Sequence, residues 1–255
     1  MDLVTVQSAR VARERGDLAL KTGEAVIGGG TWLYSEPQPA TGVVDLLGMG
    51  WEPVTRTDDT LVIAATCTIE TLRGLGQFFE QCADSLLASW KIQRIATVGG
   101  NIALSLPAGP MTSLAVALDA TLLLWTATGE RRVPAADFVT GVRTNILGPG
   151  EVVRAIEIPL ASLHRTAFRR IALSPLGRTG TLVTGRRDAT GPTVITVTGG
   201  TTHPHRLAFD VVPSAAQVAA SVDSIDDWYR DAHGTPDWRR AMSLAFAEEV
   251  RQELA

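Results

Sequence analysis

The sequence predicts an α+β fold, and three observations carry that prediction. Short apolar runs bounded by Gly and Pro open the chain, helical patterns follow without a regular βαβ alternation, and amphipathic helical periodicity closes it. Its 255 residues, 45% hydrophobic and 20% charged, are ordinary globular material. A chain of this length removes roughly three quarters of its extended surface from water. There is no internal repeat and no low-complexity segment.

In order along the chain, Ala25-Val26-Ile27 reads as a strand running into three glycines, and Val43 to Leu47 as a second strand after a Pro-containing loop. Leu61 to Ala65 is an apolar run short enough for a buried strand. Thr68 is placed to cap a helix through Leu72, Leu75, Phe78 and Phe79, interrupted before about Trp90. A second glycine loop, Thr97 to Asn101, precedes a turn in which Pro110 opens another helix, since a missing N–H costs nothing in a first turn. Leu122 to Trp125 and Val152 to Ile158 read as strands of one antiparallel system. After Pro159, Phe168–Leu173, Thr181–Thr184 and Val194–Thr198 predict a three-stranded meander. The last helix has Thr235 as N-cap, Pro236 in the first turn, and a stripe of Trp238, Met242, Phe246, Val250 and Leu254.

Composition removes several functions. With 23 Lys and Arg against 27 Asp and Glu, the formal charge is −4, the wrong sign for a nucleic-acid binder. Met1 to Leu20 carries Arg10, Arg13, Glu14, Arg15 and Asp17 without a continuous apolar core, so neither a secretory signal nor a membrane span is expected, and the reading is cytoplasmic. Two cysteines, Cys67 and Cys82, make neither a disulfide scaffold nor a zinc or iron–sulfur ligand set. The chain lacks a Walker P-loop, a Rossmann fingerprint in register and a Gly-x-Ser-x-Gly elbow. His203-Pro204-His205 offers two imidazoles, but no Cys or acidic residue lies close in sequence, so the segment reads as a surface turn and no metal ligand is assigned. Arg131-Arg132 and Arg186-Arg187 read as solvated turn residues.

What remains is a pair of glycine loops far apart in the chain, Ile27-Gly28-Gly29-Gly30-Thr31 and Thr97-Val98-Gly99-Gly100-Asn101. Without a Cβ, successive N–H groups can turn toward one point and form an anion cradle, with the hydroxyls of Thr31 and Thr97 and the amide of Asn101 as extra donors. Two such loops suit the two phosphates of a dinucleotide, although tight turns explain them too. Trp32 stands beside the first loop, where packing is the plainer role and stacking near a cofactor the alternative.

At these loops the sequence resembles a known family. Ile27-Gly28-Gly29-Gly30-Thr31-Trp32-Leu33 is similar to the Ala-Gly-Gly-Thr-x-Leu segment, and Ala96-Thr97-Val98-Gly99-Gly100-Asn101-Ile102 to the Ala-Thr-x-Gly-Gly-Asn-Ile segment, of the FAD-binding medium subunit of molybdenum hydroxylases, the carbon monoxide dehydrogenase and xanthine dehydrogenase family. Pro107-Ala108-Gly109, Leu118-Asp119-Ala120-Thr121, Pro149-Gly150-Glu151-Val152-Val153 and the tail Asp231 to Arg240 also fall where that family has similar segments.

The resemblance implies two α/β subdomains gripping FAD (about 1–55 and 56–160, together an FAD-binding domain at 1–160). A C-terminal domain at 161–255, with a three-stranded antiparallel sheet and helices, would follow. It implies that Gly28, Gly29, Gly30 and Thr31, flanked by Ile27 and Trp32, bind the FAD pyrophosphate, with Thr97, Gly99, Gly100 and Asn101 completing the clamp. It also implies partners: a small [2Fe-2S] subunit feeding electrons to FAD, a large molybdenum-cofactor subunit that hydroxylates substrate, and an external acceptor such as NAD, oxygen or a quinone. No side chain of this chain is required as a general acid or base, because the redox chemistry is the cofactor's. Pro110 stands where many members carry an Asp, so one polar contact is absent or otherwise supplied. That departure keeps open a flavin-free structural or assembly subunit. A stand-alone flavin oxidase is the remaining alternative.

Overall fold

The computed structural model describes residues 3–255 and contains three main sheets. In the first, β1 (Ser8–Val11), β2 (Glu24–Ile27) and β3 (Gly42–Asp45) are parallel, with the buried β3 in the centre. Arg10 on β1 donates to both carboxylate oxygens of Glu24 on β2, bracing the two outer strands across the middle one. The polar β1 is not legible as a strand because an edge strand half in water needs no apolar run.

The second sheet holds β4 (Val54–Arg56), β5 (Thr60–Ala64), β6 (Thr121–Trp125), β7 (Glu130–Pro134) and β10 (Val152–Pro159) in the order β4-β5-β10-β6-β7, all antiparallel. One face is covered by α1 (Ile69–Arg73), α2 (Gln77–Asp84), α4 (Val98–Leu104) and α5 (Pro110–Ala117); α3 (Trp90–Gln93) is a short exposed turn of helix. Ile63, Ile69, Leu72, Ile102, Leu114, Leu122 and Ile156 form the core between them. Each such side chain contributes about 1.5–3 kcal/mol by leaving water. Gly74 to Gly76 is the expected interruption, separating α1 from α2. A small separate ladder pairs β8 (Val139–Gly141) with β9 (Thr144–Asn145).

The third sheet corrects the expectation of three strands. It has four antiparallel strands in sequence order, β11 (Arg165–Ile171), β12 (Thr181–Arg187), β13 (Thr193–Thr198) and β14 (His205–Phe209). The fourth was hidden because it is an edge strand whose inward side is His205, Leu207 and Phe209, alternating with exposed Arg206 and Ala208, and whose first residue was absorbed into a turn.

Two helices, α6 (Ala215–Asp223) and α7 (Pro236–Leu254), cover this sheet. The buried line of α7 is Arg239, Ser243, Ala247, Val250 and Leu254, so in the first half of the helix the Trp238–Met242–Phe246 stripe is only half buried. The reason is closeness. A Cβ on Gly185 would come within 2.3 Å of Val250, and the Ser243 and Thr181 hydroxyls meet at 2.7 Å. Small residues and one well-paired arginine fit there better than large apolar ones. No helix among the described residues is long and apolar enough to cross a membrane.

Candidate cofactor site

The two glycine segments, remote in sequence, touch. β2 ends at Ile27, and the chain leaves it across the N-terminal side of α4. A Cβ on Gly28 would stand 2.5 Å from Thr97 Oγ1, and one on Gly29 would stand 1.7 Å from the carbonyl oxygen of Ile95. Gly30 has φ +66°, a left-handed conformation that glycine adopts without penalty. From there the chain makes a single helical turn, closed by Tyr34 N–H donating to Gly30 C=O.

The N–H groups of Gly28 through Leu33 donate to no protein acceptor among the described residues. A run of unspent donors along a glycine turn and into a first helical turn is an anion cradle.

The second segment works differently from expectation. Val98 to Leu104 is helix α4, not a loop, and its first N–H groups are spent: Val98 on Cys67 C=O, Gly99 on Ala65 C=O, Gly100 on the capping Thr97 Oγ1, and Asn101 on Thr97 C=O. Gly99 is therefore not a cofactor donor. It is buried, and a Cβ there would meet Ala65 Cβ at 2.4 Å, so its glycine permits close packing of α4 on the end of β5. Gly100 is exposed and bare, which lets a ligand approach the helix. Asn101 Oδ1 accepts from Met111 N–H and ties α4 to the start of α5. Pro110 is the first residue of α5, fully buried and outside the cavity.

One cavity of about 760 Å³ unites these parts. Ile27, Gly28, Gly29, Gly30, Thr31, Trp32, Thr97, Gly100 and Asn101 all line it, and Gly99 does not. Leu86, Leu87, Ile92 and Leu104 give it apolar walls, and Leu176, Arg178 and Thr179 reach it from the loop between β11 and β12. Sequence reasoning missed that last wall, because a turn between two strands carries no sign of where it leans. Among the described residues, Arg178 is the only ionisable side chain in the lining.

Trp32 borders this cavity and a smaller one of about 190 Å³ that holds Glu36, Arg143, Tyr229 and Asp231. Its indole nitrogen is buried without a hydrogen-bond partner, and the Arg143 guanidinium lies 5.6 Å from its ring centroid. The site thus contains an apolar trough and a backbone anion cradle, a combination suited to a diphosphate joined to flat aromatic groups. Both cysteines lie away from it, fully buried; burial pushes the Cys67 thiol up to about 11 and Cys82 in the same direction, which leaves both unreactive.

Residues 14–161 match the family described as the FAD binding domain in molybdopterin dehydrogenase. The glyceraldehyde dehydrogenase medium chain of Sulfolobus acidocaldarius is 33% identical over 89 residues, 35% of this chain and 32% of that one. The carbon monoxide dehydrogenase medium chain of Hydrogenophaga pseudoflava is 26% identical over 178 residues, 63% and 61% of the two chains. In neither comparison does the matched segment reach two thirds of the relative's length. Among solved structures, carbon monoxide dehydrogenase from Hydrogenophaga pseudoflava superposes with a TM-score of 0.81 at 20% identity over 98% of this chain and 97% of the other. Quinoline 2-oxidoreductase from Pseudomonas putida 86 gives 0.79 at 20% identity over 97% and 96%. At that identity the likeness establishes the fold.

Proposed function

Since the chain belongs to the FAD-binding domain family of molybdopterin dehydrogenases, we propose that it is the electron-transfer flavoprotein subunit of a molybdenum hydroxylase. In this reading it receives electrons from the [2Fe-2S] clusters of a small partner subunit. These originate at the molybdenum cofactor of a large subunit, where substrate is hydroxylated, and leave for an external acceptor, NAD, oxygen or a quinone. The observation that carries the reading is the free N–H run of Gly28 to Leu33 opening into a cavity of about 760 Å³.

The residues present fit FAD. In this proposal the N–H groups of Gly28 to Leu33 hold the diphosphate, and the bare surface at Gly100 lets the cofactor chain pass α4. Asn101 offers its amide nitrogen, Oδ1 being committed to Met111. Arg178 would add a positive charge to the wall of the cavity. Leu86, Leu87 and Ile92 keep water from the apolar part of the ligand. FAD, when bound, supplies the exchange between single-electron and paired-electron transfer.

Among the described residues no carboxylate, imidazole, lysine or thiol lines the cavity, which favours electron transfer over substrate chemistry of the chain's own. We place the FAD-binding domain at 1–160, with subdomains near 1–55 and 56–160, and the C-terminal domain at 161–255; the end of β10 at Pro159 supports that division.

The test is the colour of the purified protein. A flavin absorption spectrum, with FAD released on denaturation, is expected, and co-purification from the host should bring the molybdenum and [2Fe-2S] subunits. Colourless protein that takes up no added FAD would refute the assignment.

A further inference from the structure

Outside the cavity, the structure brings together three side chains that the sequence keeps apart. His203 and His205 flank Pro204 at the entry to β14, and Asp227 lies beyond α6. The two stretches are stitched together by main-chain contacts: Thr201 bridges Trp228, Thr202 N–H donates to Asp227 C=O, and Tyr229 N–H donates to Gly200 C=O. His205 Nε2 lies 2.6 Å from Asp227 Oδ1, and His203 Nδ1 lies 3.3 Å from Asp227 Oδ2. One ligand atom from each residue falls within 4.8 Å of the other two, and the imidazole centroids are 4.5 Å apart.

A pair of histidines salt-bridged to one aspartate would be complete without a ligand, but this cluster is not. Asp227 Oδ2 already accepts from Thr202 N–H at 2.9 Å and from the Thr202 hydroxyl at 2.5 Å, and Oδ1 faces His205. His203 Nδ1 is buried and makes no hydrogen bond, although the carboxylate is beside it. At 3.3 Å the two atoms are close enough for a hydrogen bond but are not aligned for one, which leaves His203 Nδ1 without a partner.

We propose that His203 Nδ1, His205 Nε2 and a carboxylate oxygen of Asp227 form a binding site for one borderline divalent transition-metal ion of the Zn²⁺ type. Two imidazoles and a carboxylate are the donor set for such ions, whereas Mg²⁺ and Ca²⁺ take oxygens alone. With bonds of about 2.0–2.1 Å, tetrahedral ligands stand about 3.3–3.4 Å apart; His203 Nδ1 already lies 3.3 Å from Asp227 Oδ2, and His205, which is hydrogen-bonded to Oδ1, must give up that bond and turn toward the ion. Three protein ligands leave a fourth position to water. Thr202 is the supporting residue that fixes the carboxylate. The ion would fasten the 227–231 segment to β14, and Tyr229 and Asp231 of that segment form part of the smaller cavity beside Trp32.

The experiment titrates the full, untagged, chelator-treated protein with Zn²⁺ by calorimetry and with Co²⁺ by visible absorption. One equivalent of Zn²⁺, a rise in melting temperature on its addition, and intensified low-symmetry Co²⁺ bands are expected. His203→Ala, at a side chain 39% exposed, should fold normally and weaken Zn²⁺ binding at least about 100-fold. Thr202→Val should weaken it about 10-fold. His164 and His233 remain as internal controls for surface binding. Zn²⁺ affinity in His203→Ala or in His203→Ala/His205→Ala within threefold of the parent, or no saturable binding by the parent, would overturn the proposal.

Discussion

Gly29 lies so close to Ile95 that any side chain at position 29 must displace the backbone of the segment leading into α4. The contact fixes the position of the anion cradle relative to the helix, because β2 belongs to the first sheet, α4 packs on the second, and the two meet at this crossing. Gly29→Ala is therefore expected to move one of the two by more than an ångström. Overpacking of this kind costs typically 1–3 kcal/mol. Thermal unfolding and flavin content of the purified variant check it, and a variant as yellow and as stable as the parent would contradict the contact.

Thr97 is the cap of α4 and also a wall of the cavity. Thr97→Val keeps the shape and removes the oxygen that accepts Gly100 N–H, so α4 should lose about 1 kcal/mol. Thr97→Ser keeps the cap and should restore stability. Chemical unfolding of the three proteins measures the difference, and equal midpoints for Val and Ser would remove the capping role.

Much of this site was legible because glycine is informative wherever backbone must approach backbone. Ile27 to Trp32 could be marked from sequence, and the structure brings that segment to Thr97, Gly100 and Asn101. The role of the second segment was not legible. Thr97-Val98-Gly99-Gly100 looks like a nest, but the carbonyls of Ala65 and Cys67 consume the N–H groups at 98 and 99, and only the tertiary fold puts those acceptors there. His203 and His205 read as a turn for the same reason, since Asp227 approaches through a helix and a bend that the local sequence does not announce. Strands β1 and β14 escaped because edge strands need no continuous apolar signal.

Asp119 joins the second and third sheets. It occupies the turn between α5 and β6 with φ +48°, and its carboxylate pairs with Arg186 on β12 and Arg206 on β14. The Arg186 side chain is only 2% exposed, so its charge depends on Asp119 and Asp188. Asn tolerates the same left-handed backbone, so Asp119→Asn isolates the charge. A buried charge losing one of two partners should cost about 2–3 kcal/mol, below the 3–5 of a wholly broken pair. Denaturant unfolding provides the number. In an Arg206→Ala background most of the cost should persist, because the buried partner is Arg186.

The Arg10–Glu24 brace makes a pH-dependent contribution to stability. The Arg10 hydrogen bonds, with the Lys21 N–H, pull the Glu24 carboxyl from an ordinary 4.5 down to about 2. The folded state therefore prefers the ionised form. The stabilisation is complete above about pH 4.5 and disappears as pH falls toward 2, because the unfolded chain then takes up a proton the folded one resists. Other carboxylates titrate in the same window, so the useful quantity is a difference. Glu24→Gln should melt below the parent at pH 6, and the gap should close progressively between pH 4.5 and 2. Melting curves of both proteins across that range decide it, and a gap that stays constant would show that Glu24 braces the sheet by shape and not by charge.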